Sequence, residues 1–370
     1  MIPVNEPLLN GNEKKYLNEC IDSGWISSEG PFVKKFEDDF SKRVGRKYGI
    51  AVANGSVALD VAVTLLGIGK GDEVIVTTFT IISCVSSIVR AGAIPVLVDV
   101  DPLTWNMSID QIENKVTQRT KAIMVVHIYG LPVDMDSIIS IAQKHNLKVI
   151  EDAAELIGQT YNGKPCGSFG DVSTFSFYPN KHITTGEGGM VLVDNERYAE
   201  KCRELRNLCF IPPRRFIHNE LGWNFRMTNL QAALGVAQLE RLDEFVIKKR
   251  LIGQWYNESL TKIRHIQLPL RELSYAKNIY WVYGIVLENE IPFDAFEAMK
   301  RLSSLGIGTR PFFFPMHKQP VFLKMGLFKN DVHPNSERLG ERGFYIPSGL
   351  SLSEHQAIEV SKALTLILTS

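Results

Sequence analysis

Short runs of apolar and β-branched residues alternate with helical stretches between about residue 50 and residue 195. Met135–His145 is one such stretch, because its apolar residues recur at helical spacing. Near-continuous apolar strands separated by helices are typical of a mostly parallel sheet that is covered on both faces. We therefore predict an α/β fold with a mostly parallel central sheet. The predicted strands are Glu73–Thr78, Ile94–Val100, Ala122–His127, Lys148–Asp152, Val172–Phe177 and Met190–Asp194.

The pattern changes after about residue 245, where the regular alternation of strands and helices ends. The expected elements there are a strand over Ile279–Leu287, a helix over Phe293–Leu305, a loop rich in proline and aromatic residues over Arg310–Pro320, and a helix after Ser353. This order predicts a smaller α+β domain that closes over the first. A long helical pattern over Leu230–Arg250 joins the two, so we expect domains over residues 1–245 and 246–370.

The composition is that of an ordinary globular protein: 370 residues, of which 45% are hydrophobic and 22% are charged. It excludes a disordered or fibrous chain. Because 41 basic residues balance 41 acidic ones, the sequence lacks the charge that nucleic acid or an anionic membrane surface would attract. The start of the chain is not typical of a signal peptide, and no apolar stretch approaches the roughly 20 residues of a membrane span. We expect no nucleic-acid partner and no membrane association.

The sequence contains five cysteines, which is an odd number, and no two of them are spaced as Cys-x-x-Cys. This pattern is not typical of a disulfide framework or of a zinc site. It predicts a cytoplasmic protein with reduced, buried thiols and without a metal. The five are Cys20, Cys84, Cys166, Cys202 and Cys209.

A candidate phosphate site lies where Asn54, Gly55 and Ser56 precede an apolar helical run that ends before Gly67. Asn, Ser and Gly favour the start of a helix, and glycine suits its C-terminal cap. The free N–H groups and the dipole at a helix start can hold a phosphate. A plain helix cap explains the same residues, so this motif alone leaves both interpretations open.

A candidate polar contact is Asp152, which ends a predicted buried strand. Open α/β sheets place their ligands at the carboxyl ends of their strands. A carboxylate buried there requires a cationic partner, because an unpaired charge is costly to bury. An aspartate that caps the next element is an equally good interpretation of this residue alone.

A candidate nucleophile, Lys181, lies in a loop between two predicted strands, and the glycine-rich return Gly186–Gly189 follows it. A lysine in a tight loop at the edge of a sheet can have a lowered pKa and form a Schiff base. Ser176, five residues earlier, is close enough in sequence to reach a phosphate. An exposed surface lysine is the alternative, but the surrounding glycine, serine and threonine residues argue against it.

Together these segments resemble the DegT/StrS-type sugar aminotransferases, which are fold type I enzymes that use pyridoxal phosphate. The resemblance covers almost the whole chain, and the loop around Lys181 is its most specific part. It implies a fold type I architecture, pyridoxal 5'-phosphate as cofactor, and transfer of an amino group from L-glutamate to a nucleotide-linked keto sugar. The segments that carry the resemblance are Ser173–Phe177, Asn180-Lys181, Thr184–Met190, Asn224–Asn229 and Arg310–His317.

The resemblance implies contacts between this chain and the cofactor. Lys181 matches the lysine that binds pyridoxal phosphate covalently, and Asp152 matches the carboxylate that pairs with its pyridine nitrogen. Glu155 matches a position beside the cofactor hydroxyl, where many family members have glutamine. The residues that match the phosphate contacts are Gly55, Ser56 and Ser176.

Two more positions concern the subunit interface and the cofactor ring. Asn224 matches a phosphate contact that family members supply from the neighbouring subunit, which implies a homodimer with shared active sites. Ile81 stands where the family commonly has an aromatic side chain stacked on the ring. We expect Ile81 to pack against the ring without the stacking contribution of roughly 0.5–1.5 kcal/mol.

The substrate implied by the resemblance is a nucleotide-linked 4-keto-6-deoxy sugar, GDP-4-keto-6-deoxymannose, which would be aminated at C4. For His127, a histidine satisfied within the core is an alternative interpretation. Arg310 is suited to a bidentate contact with a phosphate, and Arg214 and Arg215 to a diphosphate patch. The expected substrate contacts are Trp25, Ser27, His127, Arg226, Arg310 and His317.

Four alternative functions remain at this stage. A dTDP- or UDP-linked keto sugar would require the same family, and a related sugar dehydratase would have histidine in place of Lys181. A nicotinamide oxidoreductase is disfavoured, because Gly67–Asp72 lacks the last glycine of G-x-G-x-x-G and follows a predicted helix. A non-catalytic regulator that binds the cofactor would need a DNA-binding module, and no basic helix-turn-helix precedes residue 50.

Overall fold

A computed structural model describes residues 1–210, 213 and 216–369 of the chain. No helix within these residues is both long enough and apolar enough to cross a bilayer. The α-helices are α1 (Glu13–Ser23), α2 (Pro31–Val44), α3 (Gly55–Leu65), α4 (Ile82–Arg90), α5 (Ile109–Ile112), α6 (Met135–His145), α7 (Glu196–Arg206), α8 (Asn229–Leu239), α9 (Leu242–Leu260), α10 (Ala295–Ser304), α11 (Pro320–Lys324), α12 (Pro334–Arg342) and α13 (Glu354–Thr369). The strands are β1 (Tyr48–Val52), β2 (Glu73–Thr77), β3 (Ile94–Val98), β4 (Thr120–Val126), β5 (Lys148–Asp152), β6 (Thr160–Tyr161), β7 (Lys164–Pro165), β8 (Val172–Ser176), β9 (Gly189–Val193), β10 (Ile266–Gln267), β11 (Glu272–Leu273), β12 (Ala276–Lys277), β13 (Tyr283–Leu287), β14 (Arg310–Pro311) and β15 (Gly343–Ile346).

The larger part of the molecule is built on a seven-stranded sheet in the order β1-β9-β8-β5-β4-β2-β3. Strand β9 runs against its two neighbours, and the other six strands are parallel to one another. Successive residues of a strand point to opposite faces, so Val74 and Val76 join one buried apolar cluster and Ile75 joins the other. Helices α3, α4 and α7 contribute to the first cluster, and α2, α6 and α8 to the second. The predicted α/β fold with a mostly parallel sheet is therefore confirmed.

The predicted strands of this sheet are found within two residues of their expected bounds. Helix α6 has the predicted bounds, because the Asp134 side chain caps its start and Asn146, with φ of 51°, ends it. Strand β1 was not predicted, since its sequence, Tyr-Gly-Ile-Ala-Val, includes glycine and alanine and favours a strand only weakly. Its pairing with β9 at the edge of the sheet fixes it there.

The C-terminal part contains a four-stranded antiparallel sheet in the order β10-β13-β15-β14. A third apolar cluster lies between this sheet and helices α9, α10 and α13, which is the predicted α+β arrangement. Helix α9 joins the two parts, because Phe245 belongs to a cluster of the large sheet whereas Ile252 and Tyr256 belong to the third cluster. The domain boundary at residue 245 stays a prediction.

Two predicted elements were wrong in their extent. The helical pattern over Leu230–Arg250 is divided between α8 and α9 by a turn at residues 240 and 241. Contacts with the N-terminal segment fix this turn: Glu240 accepts hydrogen bonds from Asn12 and Tyr16. The strand predicted over Ile279–Leu287 begins only at Tyr283, after a bend in which Tyr280 has φ of 48°.

Candidate active site

A cavity of about 740 Å³ opens at the carboxyl ends of β4, β5 and β8 and at the start of α3. This is the edge of an open α/β sheet at which ligands bind. The cavity brings together predicted residues that are far apart in the sequence. Those that line it are Gly55, Ser56, Ile81, Asp152, Glu155, Ser176 and Lys181.

One end of the cavity is a polar cradle at the start of α3. The Asn54 side chain caps this helix by accepting a hydrogen bond from the Val57 N–H. Gly55 is required at this position, because a Cβ atom there would lie 2.6 Å from the Cβ of Ser176. The hydroxyls of Ser56 and Ser83 are 2.6 Å apart. Sequence reasoning missed Ser83, since nothing in the local pattern shows that α4 starts beside α3.

The buried carboxylate of Asp152 lies at the end of β5. Its Oδ1 accepts a hydrogen bond of 3.1 Å from the Ala154 N–H, and its Oδ2 accepts one of 3.3 Å from the Cys84 thiol. Burial raises the pKa of Asp152, whereas the Ala154 N–H, the Cys84 thiol and the charge of Lys181 oppose the rise. This carboxylate therefore favours a cationic partner in the cavity.

The amine of Lys181 lies over the indole ring of Trp281, with Nζ 3.6 Å from the ring centroid. The Trp281 Nε1–H donates a hydrogen bond of 2.8 Å to the Asn180 carbonyl, which fixes the indole beside the lysine loop. Burial lowers the pKa of Lys181, although the neighbouring carboxyl groups of Glu155 and Asp152 raise it. A lysine with a lowered pKa is a better nucleophile at neutral pH. Trp281 was missed, and the aromatic run that begins at Tyr280 is the signal that marks it.

Glu155 is held by the backbone of Tyr129, whose N–H donates a hydrogen bond of 2.7 Å to Oε2. Tyr129 has φ of 55°, a left-handed conformation that is rare for an aromatic residue. Burial raises the pKa of Glu155 from 4.5 to about 8, and the charge of Asp152 adds to this, whereas Lys181 and the Tyr129 N–H lower it. The side chain is therefore protonated at neutral pH and can donate a hydrogen bond into the cavity.

We expect the raised pKa of Glu155 to give the cofactor-free protein a characteristic pH dependence of stability. Between pH 4.5 and about 8 the folded state binds more protons at this site than the unfolded state, so stability falls as the pH rises through this window. Glu155→Gln removes the titration, so the parent should lose on the order of a few kcal/mol relative to this variant over the window. Urea unfolding at about pH 5.5, inside this window, and at about pH 8.5, above it, measures most of the difference. Equal pH dependence in both proteins would contradict the raised pKa.

Two predicted substrate contacts, His127 and His317, are buried and do not line the cavity. His127 Nδ1 accepts a hydrogen bond from the Val133 N–H, and its Nε2 lies 3.2 Å from Glu151. His317 pairs with Thr78 through Nδ1 at 2.8 Å and with Glu337 through Nε2 at 2.9 Å. Both ring nitrogens of each histidine are engaged within the protein, which favours the alternative of a satisfied core histidine for His127. Their contact with substrate stays a prediction.

Five other predicted residues do not line the cavity that the described part of the chain forms. Trp25 and Ser27 are in an exposed segment after α1, and Asn224 is exposed on the segment that precedes α8. Arg226 donates a hydrogen bond of 2.6 Å to the Asn207 side chain. Arg310 is exposed on β14, opposite Tyr345, which does line the cavity. Arg214 and Arg215 lie outside the described residues.

A group of potential metal ligands lies elsewhere, on the C-terminal part of the chain. It consists of His265, Glu288 and Glu290, whose side chains are largely exposed and do not line the cavity. Exposed acidic groups of this kind are common in proteins without a metal. The expectation that the protein uses no metal stays a prediction.

Comparison with known proteins identifies the family. Residues 7–365 match the DegT/DnrJ/EryC1/StrS aminotransferase family. The chain belongs to this family. A GDP-perosamine synthase from Escherichia coli O157:H7 is 43% identical over 363 residues, which cover 98% of this chain and 97% of that protein. A GDP-perosamine synthase from Vibrio cholerae is 41% identical over 367 residues, which cover 98% of each chain.

Solved structures agree with this assignment. The X-ray structure of an aminotransferase from Psychrobacter cryohalolentis has a TM-score of 0.92 and 31% sequence identity, and the match covers 98% of each chain. As a DegT/DnrJ/EryC1/StrS aminotransferase, the protein is an enzyme of fold type I that depends on pyridoxal 5'-phosphate. The function class and cofactor predicted from the sequence are thereby confirmed.

The cavity fits this cofactor at three points. The cradle beside Gly55, which a side chain would fill, suits the phosphate. The buried carboxylate of Asp152 suits the protonated pyridine nitrogen. Lys181, which also lines the cavity and has a lowered pKa, suits the aldehyde. Four aromatic side chains also line the cavity, and they are Tyr178, Trp281, Phe313 and Tyr345.

Proposed function

We propose that this protein transfers the amino group of L-glutamate to C4 of GDP-4-keto-6-deoxymannose, the activity of a GDP-perosamine synthase. The observation that carries the proposal is the identity of 43% and 41%, over nearly the full chain, to two proteins of that name. The cavity supports amino transfer, because it combines a lysine nucleophile, a buried carboxylate and a phosphate cradle. The choice of GDP rests on the relatives.

Lys181 and Asp152 carry the chemistry in this proposal. When bound, pyridoxal phosphate supplies an electron sink for the carbanion formed from the amino donor. Asp152 holds the pyridine nitrogen in its protonated form, because a nearby carboxylate stabilises the positive charge. Lys181 would bind the cofactor, and its amine, when free, would move a proton at the α-carbon of the amino donor.

The other cavity residues bind and orient. Ser56, Ser83 and Ser176 donate hydrogen bonds to the phosphate together with the free N–H groups at the start of α3. Protonated Glu155 donates to the cofactor hydroxyl. The 6-deoxy carbon of the sugar requires an apolar wall, which Ile81 and Phe313 supply. Because Ile81 replaces the usual aromatic residue, an aliphatic side chain packs against the face of the cofactor ring.

The test of the proposed substrate is a comparison of kcat/KM for GDP-, dTDP- and UDP-linked 4-keto-6-deoxy sugars, with L-glutamate as donor. We expect the GDP-linked sugar to be preferred by at least about tenfold, which corresponds to about 1.4 kcal/mol of transition-state binding. Preference for the dTDP or UDP substrate would contradict the GDP assignment and leave amino transfer standing. A deoxygenated product would indicate a dehydratase, and no turnover of any of the three would contradict the proposed substrate class.

We also propose a cytoplasmic homodimer with shared active sites. Asn224, which resembles a phosphate contact supplied by the neighbouring subunit, is exposed and does not line the cavity of its own chain. Exposure of that side chain is what a contact across a two-fold interface requires. The cytoplasmic location is supported by five cysteines that are all unpaired and buried.

Mixing two inactive variants tests the shared site. Lys181→Ala and Asn224→Ala subunits, unfolded and refolded together, should recover about a quarter of the parent activity, because half of the dimers are hybrids and each hybrid has one site with both residues intact. Activity is measured against each variant refolded alone, which is the control. A mixture no more active than its components, with hybrid dimers demonstrated by two affinity tags, would show that each site is built from one chain.

A further inference from the structure

The Asp152 carboxylate has a neighbour that the proposed chemistry does not use. Cys84, in the first turn of α4, donates its thiol hydrogen to Oδ2 of Asp152 over 3.3 Å. The Ala154 N–H binds the other oxygen, Oδ1, at 3.1 Å. Each carboxylate oxygen thus has one donor from the protein, and the plane of the carboxylate is fixed from both sides.

The direction of the Cys84 hydrogen is itself determined by a third residue. The Thr80 hydroxyl donates to the Cys84 sulfur at 3.2 Å. Because the sulfur accepts this hydrogen bond, its own hydrogen is available for Asp152. Thr80 and Cys84 are fully buried and Asp152 is 3% exposed, so water does not compete for these groups.

The thiol acts only as a donor towards the carboxylate. Burial and the charge of Asp152 raise the pKa of Cys84 well above its ordinary value of 9.0, so the sulfur keeps its proton over the working pH range. A thiol is a weak donor, but a hydrogen bond to a charged acceptor is stronger than one between neutral groups. Donation to Oδ2 therefore stabilises the ionised form of Asp152.

We propose that Cys84 is a positioning residue for Asp152, which it orients and keeps ionised opposite the pyridine nitrogen through the chain Thr80–Cys84–Asp152. The proposal rests on the cofactor role of Asp152 given above. A carboxylate that gained the pyridine proton would no longer stabilise the positive ring nitrogen. By stabilising the carboxylate anion, the Cys84 thiol favours the charged pair of Asp152 carboxylate and protonated pyridine nitrogen over the neutral pair, in which the proton lies on Asp152.

Kinetics of the holoenzyme test the effect on catalysis. Cys84→Ala removes the donor, and we expect kcat to fall about tenfold with little change in KM for the sugar, since the contact acts on charge at the reacting cofactor. Cys84→Ser restores a hydroxyl donor and should return kcat close to that of the parent. Cys202→Ala, which removes a buried thiol from α7 outside the cavity, is the matched control. If Cys84→Ala has the kcat of Cys202→Ala, the proposal is wrong.

Infrared spectroscopy of the purified full-length protein tests the hydrogen bond itself and does not depend on turnover. The S–H stretching band that disappears in Cys84→Ala should lie at lower frequency than the band that disappears in Cys202→Ala, because its acceptor is a carboxylate. It should move to higher frequency in Asp152→Asn, which removes the charge of the acceptor. A Cys84 band that does not respond to Asp152→Asn would overturn the proposal even if the protein is an active aminotransferase. The expected shift would be retained if the protein acts on another substrate.

Discussion

Replacing Lys181 with alanine should reduce amino transfer by a factor of about 10⁴ or more, because in the proposed function this residue is both the nucleophile that binds the cofactor and the base that moves the proton. Lys181→Arg should be equally inactive, since arginine keeps the positive charge but neither forms a Schiff base nor gives up its proton. The expected result thus separates the chemistry of the amine from its charge. Single-turnover assays with L-glutamate measure the loss.

Borohydride reduction of the parent followed by peptide mapping provides the second measurement for Lys181. The mapping is informative because the chain has another buried lysine with a lowered pKa, Lys249, whose value burial lowers to about 7. The Lys249 amine donates hydrogen bonds to the carbonyls of Trp281 and Ser348 and does not line the cavity. The pyridoxyl group should therefore be found on Lys181, and its recovery on Lys249 would refute the assignment.

Replacing Asp152 with asparagine should lower kcat by a factor on the order of 10² or more, because the charge that stabilises the protonated pyridine nitrogen acts in the transition state. The change keeps the shape of the side chain but leaves one acceptor oxygen for the two donors of Asp152, the Ala154 N–H and the Cys84 thiol, because the amide nitrogen only donates. We expect KM for the sugar to change far less than kcat, since Asp152 lies at the end of β5 beneath the cofactor site. Steady-state kinetics with both substrates varied measure the two constants.

The stability of Asp152→Asn provides its control. Burial raises the pKa of Asp152, so the ionised carboxylate costs free energy in the folded chain. Removing its charge should therefore not destabilise the cofactor-free protein at about pH 8. Urea unfolding measures this. A variant that is as stable as the parent and has parent-like kcat would show that another group protonates the ring.

Local sequence was sufficient for the main elements and for the centre of the site. The strands of the large sheet were predicted because a strand buried on both faces is a short apolar run whatever its neighbours are. The candidate residues Asp152 and Ser176 were predicted because each ends such a strand, where α/β sheets place ligands, and Lys181 was predicted from the loop that follows β8. The family resemblance added Glu155 and Ile81, which have no distinctive local pattern and yet line the same cavity.

The tertiary structure alone decided which distant residues meet at that site. Trp281 reaches Lys181 from a bend before β13, and Cys84 reaches Asp152 from the first turn of α4. His127 directly follows β4, near the same edge of the sheet as Asp152, but its ring is bonded to Glu151 and Val133. Position near a strand end therefore did not predict exposure to the cavity.

The sequence by itself thus determined the α/β fold, its strands and the lysine loop, because these depend on the periodicity of residues that are neighbours along the chain. Only the packing of the whole chain decided the turn between α8 and α9, the burial of His317 and the contacts of Asp152. Each of these depends on side chains that are brought together from separate elements, and hydrophobic periodicity within one element does not specify the partner it meets.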